Sequence, residues 1–198
     1  MKTNKLILFL FYILVSLTIH QSSYADENIP PVVINPVIVE FDSFPDIPES
    51  MKLYVGDIID SYSKDSADVL GYTRTGIKKY APVVCSPSFP DCFKKSFQQL
   101  LSQKGNFSSD ASSAHHIIEV NIVELALTEN SRFLSQTIDI IMKVEVSIVD
   151  PLNSDNVRTL KIESTNTKKH MDTTKYAEEV ARGVISNIIN EILKSLIS

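Results

Sequence analysis

Cysteine and histidine are the residue types in this chain best able to do chemistry. The two cysteines, Cys85 and Cys92, stand six residues apart across Ser-Pro-Ser-Phe-Pro-Asp. Two prolines in so short an interval favour a bent loop that brings its ends together. The spacing is not C-x-x-C, and no second Cys/His pair lies nearby to complete a metal site. The expectation is a Cys85–Cys92 disulfide. Closing so small a loop contributes on the order of 2–3 kcal/mol in the chain-entropy model. A redox or metal pair is the weaker alternative.

The histidines beyond the first twenty-five residues are His115, His116 and His170. Adjacent residues on a strand point to opposite faces, so His115 and His116 cannot readily hold one ion. Asp57, Asp60, Asp65 and Asp68 gather near one another in sequence. Two close carboxylates can divide acid and base work, but this irregular spacing in polar surroundings reads as solvated loop charge. There is no G-x-S-x-G elbow, phosphate loop or H-E-x-x-H. Five glycines in the whole chain cannot build a glycine-rich cradle. Asn106-Phe-Ser108 matches a glycosylation sequon, which matters only in a eukaryotic secretory pathway. The expectation is therefore no enzyme, no catalytic residues, no metal and no cofactor.

The N-terminus supplies an address. Lys2 and Lys5 precede an apolar run from Leu6 to Leu17 broken only by Ser16, and Ser22-Ser23-Tyr24-Ala25 follows. A positive start, a short apolar core and small residues at the cut make a secretory signal peptide. Cleavage is expected between Ala25 and Asp26. The residue after the cut is not cysteine, so no lipid is attached there. Retention of residues 6–19 as an uncleaved anchor is the rival reading. Cleavage leaves 173 of the 198 residues, enough for one domain with a real core. Export also places the cysteines where disulfides persist. The location expected is the periplasm, with release from the cell as the alternative.

Charge narrows the partners. The chain carries −5; losing Lys2 and Lys5 leaves 17 basic against 24 acidic residues, a net −7. Nucleic acid and anionic lipid both reward clustered Lys and Arg, and Lys168-Lys169-His170 is too short to serve. After Thr18 no apolar run approaches the ~20 residues that span a bilayer.

These residues need elements to hold them. Residues 26–50 contain five of the nine prolines together with Val32-Val33-Ile34 and Val37-Ile38-Val39. Proline excludes helix and a central strand, which predicts an extended arm packed on its own domain or on a partner. A strand is expected over residues 51–57, a long polar loop over 58–76 and a second strand over 77–85. A helix follows from about Pro90 to Lys104, capped by Ser88 and closed by Gly105. Three strands come next, at 116–127, 135–150 and 157–165. The second alternates Ile138, Ile140, Met142, Val144, Val146 and Ile148 with a mostly polar set, the period of a sheet wet on one face. A long helix over about 173–196 closes the chain. Gly183, within it, suggests a close approach to the sheet. The order predicts an α+β two-layer sandwich: a mostly antiparallel sheet of about four to five strands with two helices on one face. The domain plan is 1–25 signal peptide, 26–50 arm and 51–198 one domain.

Leu53-Tyr-Val-Gly-Asp57, Gly71-Tyr-Thr-Arg74, the Phe93–Gly105 helix, Ile118-Glu-Val-Asn-Ile-Val-Glu-Leu125 and the Tyr176–Leu196 helix resemble the YajG-like bacterial envelope proteins and the auxiliary lipoproteins of ABC-type transport systems. The resemblance covers roughly residues 50–197. It implies a periplasmic, non-enzymatic module attached to envelope machinery. This chain departs from it at Asp26, where those proteins usually carry a lipid-bearing cysteine, and in the Cys85–Cys92 loop. The expectation is a binding or assembly module with an envelope protein complex as partner and homo-oligomers possible in principle. Its candidate contact surfaces are the arm, the 58–76 loop and an exposed edge strand. The alternatives are a carrier of a small apolar ligand or lipid, or an exported effector or enzyme.

Overall fold

A computed structural model describes residues 29–38, 43–62, 69–76, 79–132, 135–170 and 173–197. The expected signal peptide with its Ala25/Asp26 cut, and Asp65 and Asp68, lie outside the described residues.

Seven strands form one mixed sheet. They are β1 (Val32–Ile34), β2 (Leu53–Asp60), β3 (Val69–Gly76), β4 (Lys79–Cys85), β5 (His116–Arg132), β6 (Ser135–Asp150) and β7 (Asn153–His170); the helices are α1 (Phe89–Gln103) and α2 (Thr173–Ile197). The spatial order is β1-β4-β3-β5-β6-β7, with β2 beside the N-terminal half of β5. This corrects the expected sheet of four to five mostly antiparallel strands. Two of the added strands come from segments whose local chemistry speaks against strand. β1 lies in the proline-rich arm, where an edge position spares proline its missing donor; it runs parallel to β4. β3 comes from the polar stretch read as a loop. It pairs antiparallel with β4 and touches β5 in parallel at Gly71↔Leu127. An ideal Cβ on Gly71 would lie 2.2 Å from the Leu127 carbonyl oxygen, so the glycine that signalled a loop is what lets two backbones meet. β2 also runs parallel to β5, which makes the sheet mixed.

β5, β6 and β7 form a long antiparallel meander. The β6 alternation buries Ile138, Ile140, Met142, Val144, Val146 and Ile148, each at most 4 % exposed. Their neighbours on the other face stay wet and are laced by charge: Lys143 Nζ lies 2.8 Å from Glu124, and Lys161 Nζ 2.8 Å from Glu145.

Both helices feed one core on the sheet's inner face. Ser88 caps α1, its Oγ accepting from the Asp91 N–H at 3.3 Å; Pro90 occupies the first turn, and Gly105 at φ +74° ends the segment. Phe93 and Phe97, one turn apart, meet edge to face with centroids 6.5 Å apart. α2 buries a broad stripe from Ala177 to Leu193. A stripe that wide makes the helix stable only on a packed surface. Gly183 faces the sheet: a Cβ there would lie 2.0 Å from Asn166 Nδ2 on β7, whose amide donates to the Val180 carbonyl at 3.2 Å. Among the described residues no helix is long and apolar enough to cross a membrane.

Candidate functional site

Cys85, Cys92 and His115 are held as structural groups. Cys85 ends β4 beside Ile34, and Cys92 sits in the first turn of α1. Both are buried and both are thiols here, so the structure does not contain the expected Cys85–Cys92 bond. The Cys92 sulfhydryl is 3.6 Å from the Pro87 carbonyl and 3.7 Å from Asn35 Oδ1. A helix N-terminus ordinarily favours thiolate. Here burial pushes the Cys92 pKa up to about 11, with Asp91 and Glu178 adding repulsion and Lys95 opposing them. A thiol held that way is a poor nucleophile at neutral pH.

His115 Nδ1 accepts from the Lys52 N–H at 3.0 Å, and the His115 N–H donates to the Lys52 carbonyl at 2.7 Å. This histidine latches the start of β2 to β5, while His116 pairs in register with Leu53. His170 ends β7. Asp57 and Asp60 lie exposed on β2, and Asp60 Oδ1 accepts from the Tyr62 N–H at 3.2 Å. Among the described residues no group of three or more His, Cys, Asp or Glu could hold a metal ion. Asn106 is fully buried, and its amide donates to the carbonyls of Pro48 and Met51 at 2.9 Å each. The folded chain therefore offers no glycosylation acceptor there.

The arm joins the core. Ile34, Ile38, Phe44 and Ile47 are buried in it. Its backbone is tied down by side chains of both helices: the Ile38 N–H donates to Ser96 Oγ at 3.0 Å, the Asn35 N–H to Glu178 at 3.1 Å, and Arg182 Nε to the Val37 carbonyl at 3.1 Å. The arm's role as a separate contact surface is thereby limited to its exposed residues.

What remains accessible is the sheet face without helices. Val33 on β1, Val84 and Pro82 on β4 and Tyr72 on β3 share this face by register, Val33↔Val84 and Tyr72↔Pro82. Val33 is 52 % and Tyr72 46 % exposed. Arg74 and Tyr80 pair at the far end of the strip, and Glu129 fixes that end, accepting from the Arg74 N–H at 2.7 Å and from the buried Thr73 hydroxyl. The strip is apolar and aromatic at the β1-β4-β3 end and gives way to ion pairs at the β5-β6-β7 end. Val33 and Tyr72 fall within the arm and the 58–76 stretch expected as contact surfaces; the sequence does not show that Val84 and Pro82 of β4 join them into one strip, and a register shift between Val69 and Gly71 breaks the alternation that would signal it. An open depression of about 560 Å³ lies instead on the outside of α1, lined by Ile38, Lys95, Gln98, Gln99, Ser102 and Phe107, among others.

The class defined by these features is an α+β protein with a seven-stranded mixed sheet, two helices on its inner face and an accessible apolar strip on its outer one. Its architecture is similar to that of a Xanthomonas campestris protein of family DUF330, at 10 % identity over 83 % of this chain and 90 % of that one, with a TM-score of 0.51. Looser likenesses include a minor lipoprotein from Acinetobacter baumannii (14 % identity, 73 % of this chain and 91 % of that one, TM-score 0.37) and the rare lipoprotein B from Shewanella oneidensis (14 %, 53 % and 87 %, TM-score 0.34). No protein-family model and no curated protein matches the chain. The likeness is one of fold.

Proposed function

We propose that this protein is an exported, non-enzymatic binding or assembly module of the bacterial envelope, and that it engages its partner protein through the open sheet face. The observation that carries the reading is the strip of Val33, Val84, Pro82 and Tyr72, which lies on the sheet face opposite the helices. Exposed apolar surface on a sheet is a common docking element. Cys85, Cys92 and His115 are meanwhile engaged in packing and backbone latching. The expected leader sequence and the resemblance to YajG-like and transport-auxiliary proteins support an envelope location. The carrier alternative draws less support, because the layer between helices and sheet is occupied by fully buried side chains such as Phe93, Phe97, Leu100 and Ile188. The test is affinity purification of the full chain from crosslinked cells, beside a Tyr72→Asp variant. Envelope proteins recovered with the parent and lost with the variant are the expected result. Equal recovery from both, or none from either, overturns the reading.

A further inference from the structure

β7 closes the sheet, and among the described residues no strand pairs with its outer edge. The strand is eighteen residues long and contains no proline. Its register is irregular only at Val149/Asp150, beside the hairpin turn. Edges are usually blunted by brevity, bulges or proline, and from Val157 onward this one has none of them. Its protection is charge alone, and the order of those charges fits itself.

We infer that the β7 edges of two copies pair antiparallel about a two-fold axis at Ile162. Lys161 of each copy then faces Glu163 of the other, and Thr159 faces Thr165, all within the regular part of β7. All four residues are exposed. Within one chain, Lys143 lies 2.8 Å from Glu124 but 4.0 Å from Glu163, whose side chain is 62 % exposed at the loose outer end of that row. Lys161, 80 % exposed, holds Glu145 at 2.8 Å. The two-fold places each Lys161 beside the other copy's Glu163. The row Glu124–Lys143–Glu163 continues into Lys161–Glu145 of the second molecule, with signs alternating throughout.

Neighbouring registers are penalised. An axis at Lys161 sets that lysine against itself, and an axis at Glu163 does the same with glutamate; like charges directly opposite destabilise a strand pair. The charge order thus selects one register. Ile162 and Leu160 remain on the helix side of both copies, so the helical layers continue on one face. The contact is isologous and closes at two molecules. It lies at the other end of the sheet from the apolar strip, so it stands or falls independently of the partner proposed above.

The test is sedimentation of the protein purified from cells expressing the full chain, followed across concentration to about 1 mM. Circular dichroism confirms that each variant is folded. The parent is expected to dimerise reversibly. Glu163→Lys sets two lysine pairs against each other across the axis and is expected to weaken the dimer roughly tenfold or more. Lys161→Glu combined with Glu163→Lys restores opposite charges across the axis while disrupting the intrachain pairs with Glu145 and Lys143, and is expected to restore dimerisation. A parent monomeric throughout, a dimer indifferent to Glu163→Lys, or a double variant that stays dissociated would each overturn the inference.

Discussion

Gly183 and Asn166 illustrate how one residue's identity is set by another across the helix–sheet interface. In an exposed helix, Gly→Ala stabilises by about 1 kcal/mol. Here the added methyl would lie 2.0 Å from the Asn166 amide nitrogen, and moving that amide gives up its bond to the Val180 carbonyl. Stranding that partly buried amide costs about 1–3 kcal/mol, against a helix-propensity gain of about 1 kcal/mol, so Gly183→Ala is expected to destabilise the fold by about 1 kcal/mol net. In an Asn166→Ala background the same change should stabilise by about 0.5–1 kcal/mol. Urea denaturation of the four proteins measures the reversal of sign. Cys92 gives a second expectation at this scale. Its folded-state pKa of about 11 lies above its ordinary 9.0, so folding favours the protonated thiol. That stabilisation is complete below pH 9.0 and is lost as pH rises through about 11. Tyr62, raised from 10.0 to about 12 mainly by burial and then by Asp60 and Cys85, acts in the same direction at higher pH. Under reducing conditions, the denaturation midpoint of the parent should fall more steeply over that range than that of Cys92→Ala; parallel profiles would contradict the assignment.

At the scale of elements, the arm is the decisive piece. Phe44 is 5 % exposed, and its carbonyl accepts from Lys104 Nζ at 3.2 Å. Phe44→Ala should cost about 3 kcal/mol, the range for a buried aromatic. A cost below about 1 kcal/mol, the level of a surface substitution, would show that the arm is only loosely attached. Deleting residues 26–50 would therefore confound loss of a contact with loss of the core. The elements legible in the sequence were those whose burial pattern is written locally: β6 through its period of two, α1 through Ser88, Pro90 and its four-residue apolar spacing, α2 through its stripe. β1 and β3 were not. β1 pairs with β4, distant in sequence, and β3, a hairpin partner of β4, also meets the distant β5, while their own prolines and glycines argue for loop. The candidate site followed the same rule. The residues with reactive side chains were easy to find, and their structural use was not. The open strip depends on the β3–β4 hairpin and on the long-range register Val33↔Val84, which no local pattern announces.

For the whole molecule, the sheet divides its labour between two faces. The inner face carries both helices and the core. The outer face carries an apolar strip at one end and a lattice of ion pairs at the other, with raised Lys143 and Lys161 pKa values reflecting hydrogen bonds to Glu124 and Glu145. Surface pairs of this kind contribute little to stability; their value is in discouraging indiscriminate contact on that end of the face. That leaves the strip as the outer-face surface proposed above for binding. The most direct test replaces Tyr72 on the strip and, separately, Lys194 on the exposed side of α2 with a photocrosslinking residue in living cells. Discrete adducts with envelope proteins are expected from position 72 and none from position 194. Adducts from 194 alone, or the same adducts from both, would contradict the proposal.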